Sequence, residues 1–142
     1  MDSPTQDEKL MAGLAHLAII LPYWGIIGAI VVWATQKDKS KFVRAHAVQA
    51  VGWQVFEIIL SLALGIVCGG GFFVMMMVLA VAGGGQPEAA PLGMLIPFAV
   101  MGAMGLVMLV VIIVGVVAAC NALQGNPYSY PLIGHYVERF HQ

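Results

Sequence analysis

Apolar residues fill three long stretches of the chain, and polar residues gather in the gaps between them. The first stretch covers residues 10–33. As a helix rising about 1.5 Å per residue it is long enough to cross a hydrocarbon core of about 30 Å. Pro22 interrupts it and leaves the Ala18 carbonyl without its helical donor, which predicts a kink. Tyr23, Trp24 and Trp33 suit interfacial or helix-packing positions. The second stretch, residues 45–82, is nearly twice the length a bilayer requires. Its first part, to Gln54, is only half apolar, and the run CGGGFF from Cys68 to Phe73 reads as a flexible break. The expected element is one span over about 46–82, bent at 69–71; the alternative is a hairpin of two shorter helices. Residues 83–91 form a loop by composition. A third span follows over about 92–123, with Pro97 ending a short leading segment.

Past that span, Gly125 is placed to end the helix, and Asn126-Pro127 to form a turn. Leu132, Ile133, Tyr136, Val137 and Phe140 then recur at helical spacing, with His135, Glu138 and Arg139 facing elsewhere. This pattern predicts a short amphipathic helix over 131–141 lying on the membrane surface. The expected fold class is all-α: one integral membrane helical bundle over 1–142. It has three transmembrane helices, four being the alternative, and the interfacial C-terminal helix.

Composition agrees with a lipid solvent. The chain is 61% hydrophobic and 9% charged, against about 25% charged residues in a soluble domain. Net charge is near zero and no broad basic face appears, which excludes nucleic acid as a partner. Four of the six basic residues, Lys37, Lys39, Lys41 and Arg44, follow the first stretch directly. The positive-inside rule places this loop, residues 34–45, in the cytoplasm. Gln86, Pro87 and Glu88 carry no Lys or Arg and suit the outer side. With three spans the N-terminus lies outside and the C-terminus inside, in the cell (inner or plasma) membrane. The basic loop is also a candidate contact for anionic lipid, at roughly 1 kcal/mol per basic side chain. The acidic N-terminal residues lack the positive region of a signal peptide. Thr5 and Glu8 instead have the spacing of a capping box.

Ser40 is a suitable N-cap for a helix beginning at Lys41. On that helix His46, Gln49, Trp53 and Glu57 fall on one face at spacings of three and four, with Gln54 beside them. The stripe climbs about 16 Å toward Glu57. An acidic group near the middle of a bilayer costs about 2.5–3.5 kcal/mol on insertion scales, so it must face protein or water. Tyr23, Trp24 or the Ala18 carbonyl are the expected partners of Glu57. The stripe either glues helices together or lines a path for protons or solute. His16, in the first stretch, is expected to hydrogen-bond to a neighbouring helix. Gly102, Ala103 and Gly105 give a small-residue face for helix packing inside the protein. Cys68 and Cys120 form no CxxC pair and read as buried thiols. No catalytic constellation, metal-ligand pattern or cofactor motif is present, so an enzyme is not expected.

The segments LMAGLAHLAIILP, VVWATQKDKSKFVRAHAVQAVGWQ and ALQGNPYSYPLIGHYV resemble a family of small bacterial multi-pass membrane proteins of unknown function. That family is distantly similar to the twenty-kilodalton subunit of the chloroplast inner-envelope import translocon, Tic. Ala15-His16-Leu17, Trp33, Lys37-Asp38, Phe42-Val43, His46, Gln54 and Tyr130-Pro131 match its pattern. Arg44 and Ala45 replace the acidic residues usual before the histidine, and Gly52-Trp53 stands where Asn-Phe is common. The resemblance implies a multi-pass membrane protein and leaves its activity open. The expected function is a non-enzymatic accessory or scaffold subunit, whose partners are membrane lipids and other membrane protein subunits. The alternatives are a transport or protein-translocation component with a polar stripe lining a path, and a sensor of anionic lipid.

Overall fold

The computed structural model describes residues 3–82 and 90–138. Its helices are α1 (Gln6–Leu17), α2 (Gly25–Gln36), α3 (Lys41–Ala82), α4 (Ala90–Gln124) and α5 (Gly134–Glu138), with one 3-10 turn at Ala18–Ile20. No strand occurs among the described residues. The chain divides into two compact units, Met1–Ile58 with Val111–Gln142, and Ile59–Val110.

The first unit begins at the expected capping box. The Thr5 hydroxyl accepts from the Glu8 amide at 3.3 Å, and the Thr5 amide donates to the Glu8 carboxylate at 2.7 Å. These bonds satisfy two groups that a helix start leaves orphaned. The Glu8 carboxyl is held below the usual carboxylate range, first by the Ser40 hydroxyl and then by the Thr5 amide and hydroxyl. The start of α1 therefore lies beside the start of α3.

The first apolar stretch is not one kinked span. α1 ends at Leu17, the chain tightens, and Leu21 donates to the Ala18 carbonyl at 3.0 Å. That bond supplies the donor Pro22 lacks. Tyr23 then takes a left-handed conformation, φ 64°, and Trp24 donates back to the Pro22 carbonyl at 2.8 Å. This is a γ-turn of the strained hand, and it reverses the chain. α2 folds back on α1, so that Ala15 and Ala29 share one buried cluster with Ala47 and Ala50 of α3. Each of α1 and α2 has 12 residues and is about 18 Å long, too short to cross a bilayer alone. Gly25 sits where this reversal is tightest: a Cβ there would collide with the Ala18 carbonyl.

α3 begins as expected, with the Ser40 hydroxyl accepting from the Val43 amide at 3.2 Å. It continues for 42 residues. The run Gly69–Gly70–Gly71 is helical throughout, so the alternative hairpin of two shorter helices does not form there. α4 likewise passes through Pro97 without a separate leading segment. Glycine and proline are tolerated in apolar helices because nothing outside competes for the backbone hydrogen bonds. Among the described residues two helices are therefore long and apolar enough to cross a membrane, over Lys41–Val78 and Leu95–Gln124, where three spans were expected. α4 ends in a Schellman motif. Asn126 donates to Asn121 and Gly125 to Ala122, with Gly125 at φ 83°.

Within the first unit α4 packs against α1 and the 3-10 turn through small residues. Gly13 leaves the room that Leu123 fills, and Gly115 the room that Ile19 fills. The C-terminal segment docks in the same way. Ile133 and Val137 press on Gly52 of α3, so the apolar residues expected to rest on lipid rest partly on protein. Among the described members of that set, Leu132 and Tyr136 are exposed. α5 has five residues, and positions 139–141 of the expected interfacial helix lie outside the described residues.

In the second unit large apolar side chains point outward, among them Ile66, Val67, Phe73, Phe98 and Met101. Gly102 and Gly105 have no atom within 4 Å of where a Cβ would sit, and Ala103 is exposed. The internal helix packing expected of these three is absent among the described residues. Nor are the cysteines buried: Cys68 is half-buried and Cys120 exposed.

The tight turn gives a test. Gly25→Ala should lower stability by roughly 1–3 kcal/mol, the usual cost of overpacking, read as a fall in thermal midpoint in detergent. Gly65→Ala, which meets open space, should leave the midpoint unchanged or raise it, by up to about 1 kcal/mol. An equal response at both positions would overturn the reversal at Gly25.

Candidate functional site

A polar network lies at the centre of the first unit, where α1, α3 and the segment after α4 meet. His16 is fully buried and uses both ring nitrogens: Nδ1 meets the Tyr130 hydroxyl at 2.9 Å, and Nε2 meets His46 Nδ1 at 3.0 Å. His46 also faces the backbone carbonyl of Asn126. A carbonyl can only accept, which fixes the direction of the chain. An imidazolium here would be a buried charge, costly without a counter-ion. With both rings neutral, His46 Nε2–H donates to Asn126, His16 Nε2–H donates to His46 Nδ1, and the Tyr130 hydroxyl donates to His16 Nδ1. Burial pushes the Tyr130 phenol up, with Tyr128 adding to the effect, so the hydroxyl keeps the proton it donates. One tautomer of each ring satisfies every atom.

Aromatic contacts hold the network in place. Trp53 stacks on Tyr130, centroids 4.5 Å apart and planes 5° from parallel. Phe42 packs on His46 at 4.5 Å, and Tyr128 meets Tyr130 edge-on at 5.2 Å. Flat stacking fixes the phenol plane, and edge contacts suit the ring quadrupoles.

The predicted stripe on α3 is real as a face, and its members point to different neighbours. His46 bonds to α1 through His16. Gln49 clamps the C-terminal segment with both ends of its amide, donating to the Gly134 carbonyl at 3.3 Å and accepting from the Tyr130 amide at 3.4 Å. Trp53 donates to the Val111 carbonyl of α4 at 3.1 Å. Gln54 donates to the Ala15 carbonyl of α1 at 3.4 Å. Glu57 is 8% exposed and makes no hydrogen bond among the described residues. Its expected partners stand elsewhere: Tyr23 and Trp24 are exposed, and the Ala18 carbonyl accepts from Leu21. His16 and Tyr130 were not placed in the stripe by spacing, because neither lies on α3. The signal available for them was the match of Ala15-His16-Leu17 and Tyr130-Pro131 to one family pattern.

Of the basic loop residues, Lys41 and Arg44 lie on the first turns of α3 and line a cavity with Tyr128 and His46. Lys37 stands over the Trp33 ring at 5.2 Å, a cation–π contact, and Lys39 is exposed. Among the described residues no group of three His, Cys, Asp or Glu is placed to hold a metal ion.

Removing the Tyr130 hydroxyl leaves His16 Nδ1 without its donor while keeping the ring on Trp53. Tyr130→Phe should therefore cost about 1–3 kcal/mol, the penalty for an unsatisfied buried group, measured as a lower thermal midpoint of the purified protein. A midpoint equal to that of the native chain would show that the His16–Tyr130 bond is not made.

Residues 7–137, nearly the whole chain, match the family model MamF/MmsF, described as the magnetosome magnetite crystal formation protein family. The match takes in α1 to α4, every residue of the buried network and most of α5. No curated protein and no solved structure gives a significant match. The match agrees with the expected small bacterial membrane protein family, and the further likeness to the Tic subunit drawn from the sequence finds no support. On that match this chain, a membrane protein by its apolar helices, belongs to the magnetosome magnetite crystal formation family.

Proposed function

We propose that the chain is a non-enzymatic component of the magnetosome membrane, acting on magnetite crystal formation as an accessory or scaffold subunit. The observation that carries this reading is the family match over residues 7–137. The local chemistry agrees with it. His46, Gln49, Trp53 and Gln54 each spend their polar atoms on their own chain, as glue between helices does. A path for protons or solute would leave such groups facing water.

The proposed topology has two spans and a re-entrant hairpin. α1 and α2 are too short to cross, and the turn between them is apolar and open, with Leu21 62% and Trp24 74% exposed. The opposite end of the hairpin is charged, with Asp7, Glu8 and Lys9 on one helix and Lys37, Asp38 and Lys39 after the other. That end meets the start of α3 through Glu8 and Ser40, and the end of α4 through Lys9 beside Gly125. The N-terminus, the basic loop and the segment after α4 then share one side, the cytoplasm by the positive-inside rule. The hairpin dips its aromatic turn into that leaflet. This replaces the three-span arrangement with the N-terminus outside.

Deleting the gene in its native bacterium and imaging the crystals by electron microscopy tests the function. Smaller or misshapen magnetite crystals, restored by supplying the chain again, are expected. Crystals of unchanged size and shape would overturn the reading. Single cysteines test the topology separately, in a background carrying Cys68→Ala and Cys120→Ala. In spheroplasts an impermeant maleimide should label Gln86→Cys and leave Ser3→Cys unlabelled; labelling of Ser3→Cys would restore the N-terminus to the outside.

A further inference from the structure

A cavity of about 230 Å³ opens in the first unit between the first turns of α3 and the turn that follows α4. Lys41, Arg44 and His46 of α3 line it together with Tyr128 of the turn. Among the described residues no carboxylate lines it. Its polar groups are almost all donors. Burial pushes the Tyr128 phenol up, so its hydroxyl stays protonated. His46 already spends its acceptor nitrogen on His16. The Gln49 amide, also in the lining, is committed to Gly134 and Tyr130. The first turn of α3 adds amides that have no helical acceptor and the positive end of the helix dipole. Two cations, a hydroxyl donor and a helix start around one open cavity are complementary to an anion, above all to phosphate oxygens.

The remaining lining names the source. Phe42, Ala45 and Pro127 are apolar, and a small hydrated anion gains nothing from them. The cavity also lies where one span-length helix begins and the other ends, the level at which lipid phosphates stand. We propose that this cavity is a binding site for the phosphodiester headgroup of an anionic phospholipid, held by Lys41, Arg44 and Tyr128 with its glycerol against Phe42 and Pro127. It narrows the basic-loop lipid contact to two of its four cations. Lys37 and Lys39 lie outside the site. The proposal rests on the two-span reading for the depth of the cavity and not on the role in crystal formation; labelling at Ser3 tests that reading independently.

The test is native mass spectrometry of the full chain released from micelles containing phosphatidylglycerol or phosphatidylcholine with the same acyl chains. The native chain should retain phosphatidylglycerol selectively. K41Q/R44Q should weaken that retention about thirtyfold, at roughly fivefold for each basic side chain near the surface. K37Q/K39Q removes the same charge outside the cavity and should retain the lipid as the native chain does. Tyr128→Phe, which keeps the ring and all charge, should weaken retention without abolishing it. This variant decides the matter should the double variant fold poorly. Equal losses in the two double variants would overturn the proposal in favour of diffuse surface charge, as would native retention in Tyr128→Phe. Occupancy by inorganic phosphate with no lipid retained would overturn the lipid source and assign the cavity to free phosphate.

Discussion

A polar side chain that α3 carries into apolar surroundings is stabilised by a partner within the same chain, as at His46, Gln49, Trp53 and Gln54, whereas the Glu57 side chain has none among the described residues. Water is absent there, and an unsatisfied buried group costs on the order of 1–3 kcal/mol. This requirement organises the first unit. His46 draws in α1, Trp53 draws in α4, Gln54 reaches α1 again, and Gln49 anchors the segment leading to α5. Apolar side chains in lipid have little reason to choose one neighbour over another, because lipid tails are as apolar as they are. Directional bonds do the choosing, and alanine and glycine let the helices come close enough to make them. The buried cluster of Ala15, Ala29, Ala47 and Ala50 is the apolar half of that arrangement.

The reversal at Pro22 shows how a local signal can be read correctly and its consequence missed. The proline and the threatened Ala18 carbonyl are plain in the sequence. A kink and a full reversal both answer the missing donor, and hydropathy favours the kink because residues 10–33 have the length of a span. What decides for reversal is non-local. Gln54 can reach the Ala15 carbonyl, and Ala29 can lie against Ala15, only if α1 is folded back beside α2 and α3. Gly25 makes the close approach possible, and one glycine among 17 does not announce itself. At Gly69, Gly70 and Gly71 composition suggests a flexible break, and α3 is helical through all three; in apolar surroundings a helix keeps its backbone bonds because nothing else can take them.

The stripe from His46 to Glu57 was legible because it lies on one helix, where spacing reports facing. Thr5 with Glu8, Ser40, and Gly125 were legible for the same reason: each cap acts within a few residues. The partners of the stripe were not legible. His16 is 30 residues from His46, and Tyr130 is 114 from His16. No periodicity links them, and each alone reads as an ordinary residue of an apolar helix or a turn. Their chemistry does link them. A histidine buried without charge needs one donor and one acceptor partner. A phenol, a second imidazole and a carbonyl in series meet that need along one directed chain.

The two units answer different physical demands. In the first, the buried polar side chains other than Glu57 are paired, and Gly13, Gly52 and Gly115 receive side chains from neighbouring elements. In the second, described glycines at 65, 69, 70, 71, 102 and 105 meet nothing within 4 Å, while large apolar side chains point outward. A glycine inside a helix costs up to about 1 kcal/mol against alanine. In the first unit close packing offsets that cost at Gly13, Gly52 and Gly115; in the second nothing within the chain does. Small surfaces on apolar helices let another helix approach closely in lipid. The outward glycines of the second unit are left uncompensated within the chain, while the first unit holds its own shape through the Tyr130–His16–His46 chain.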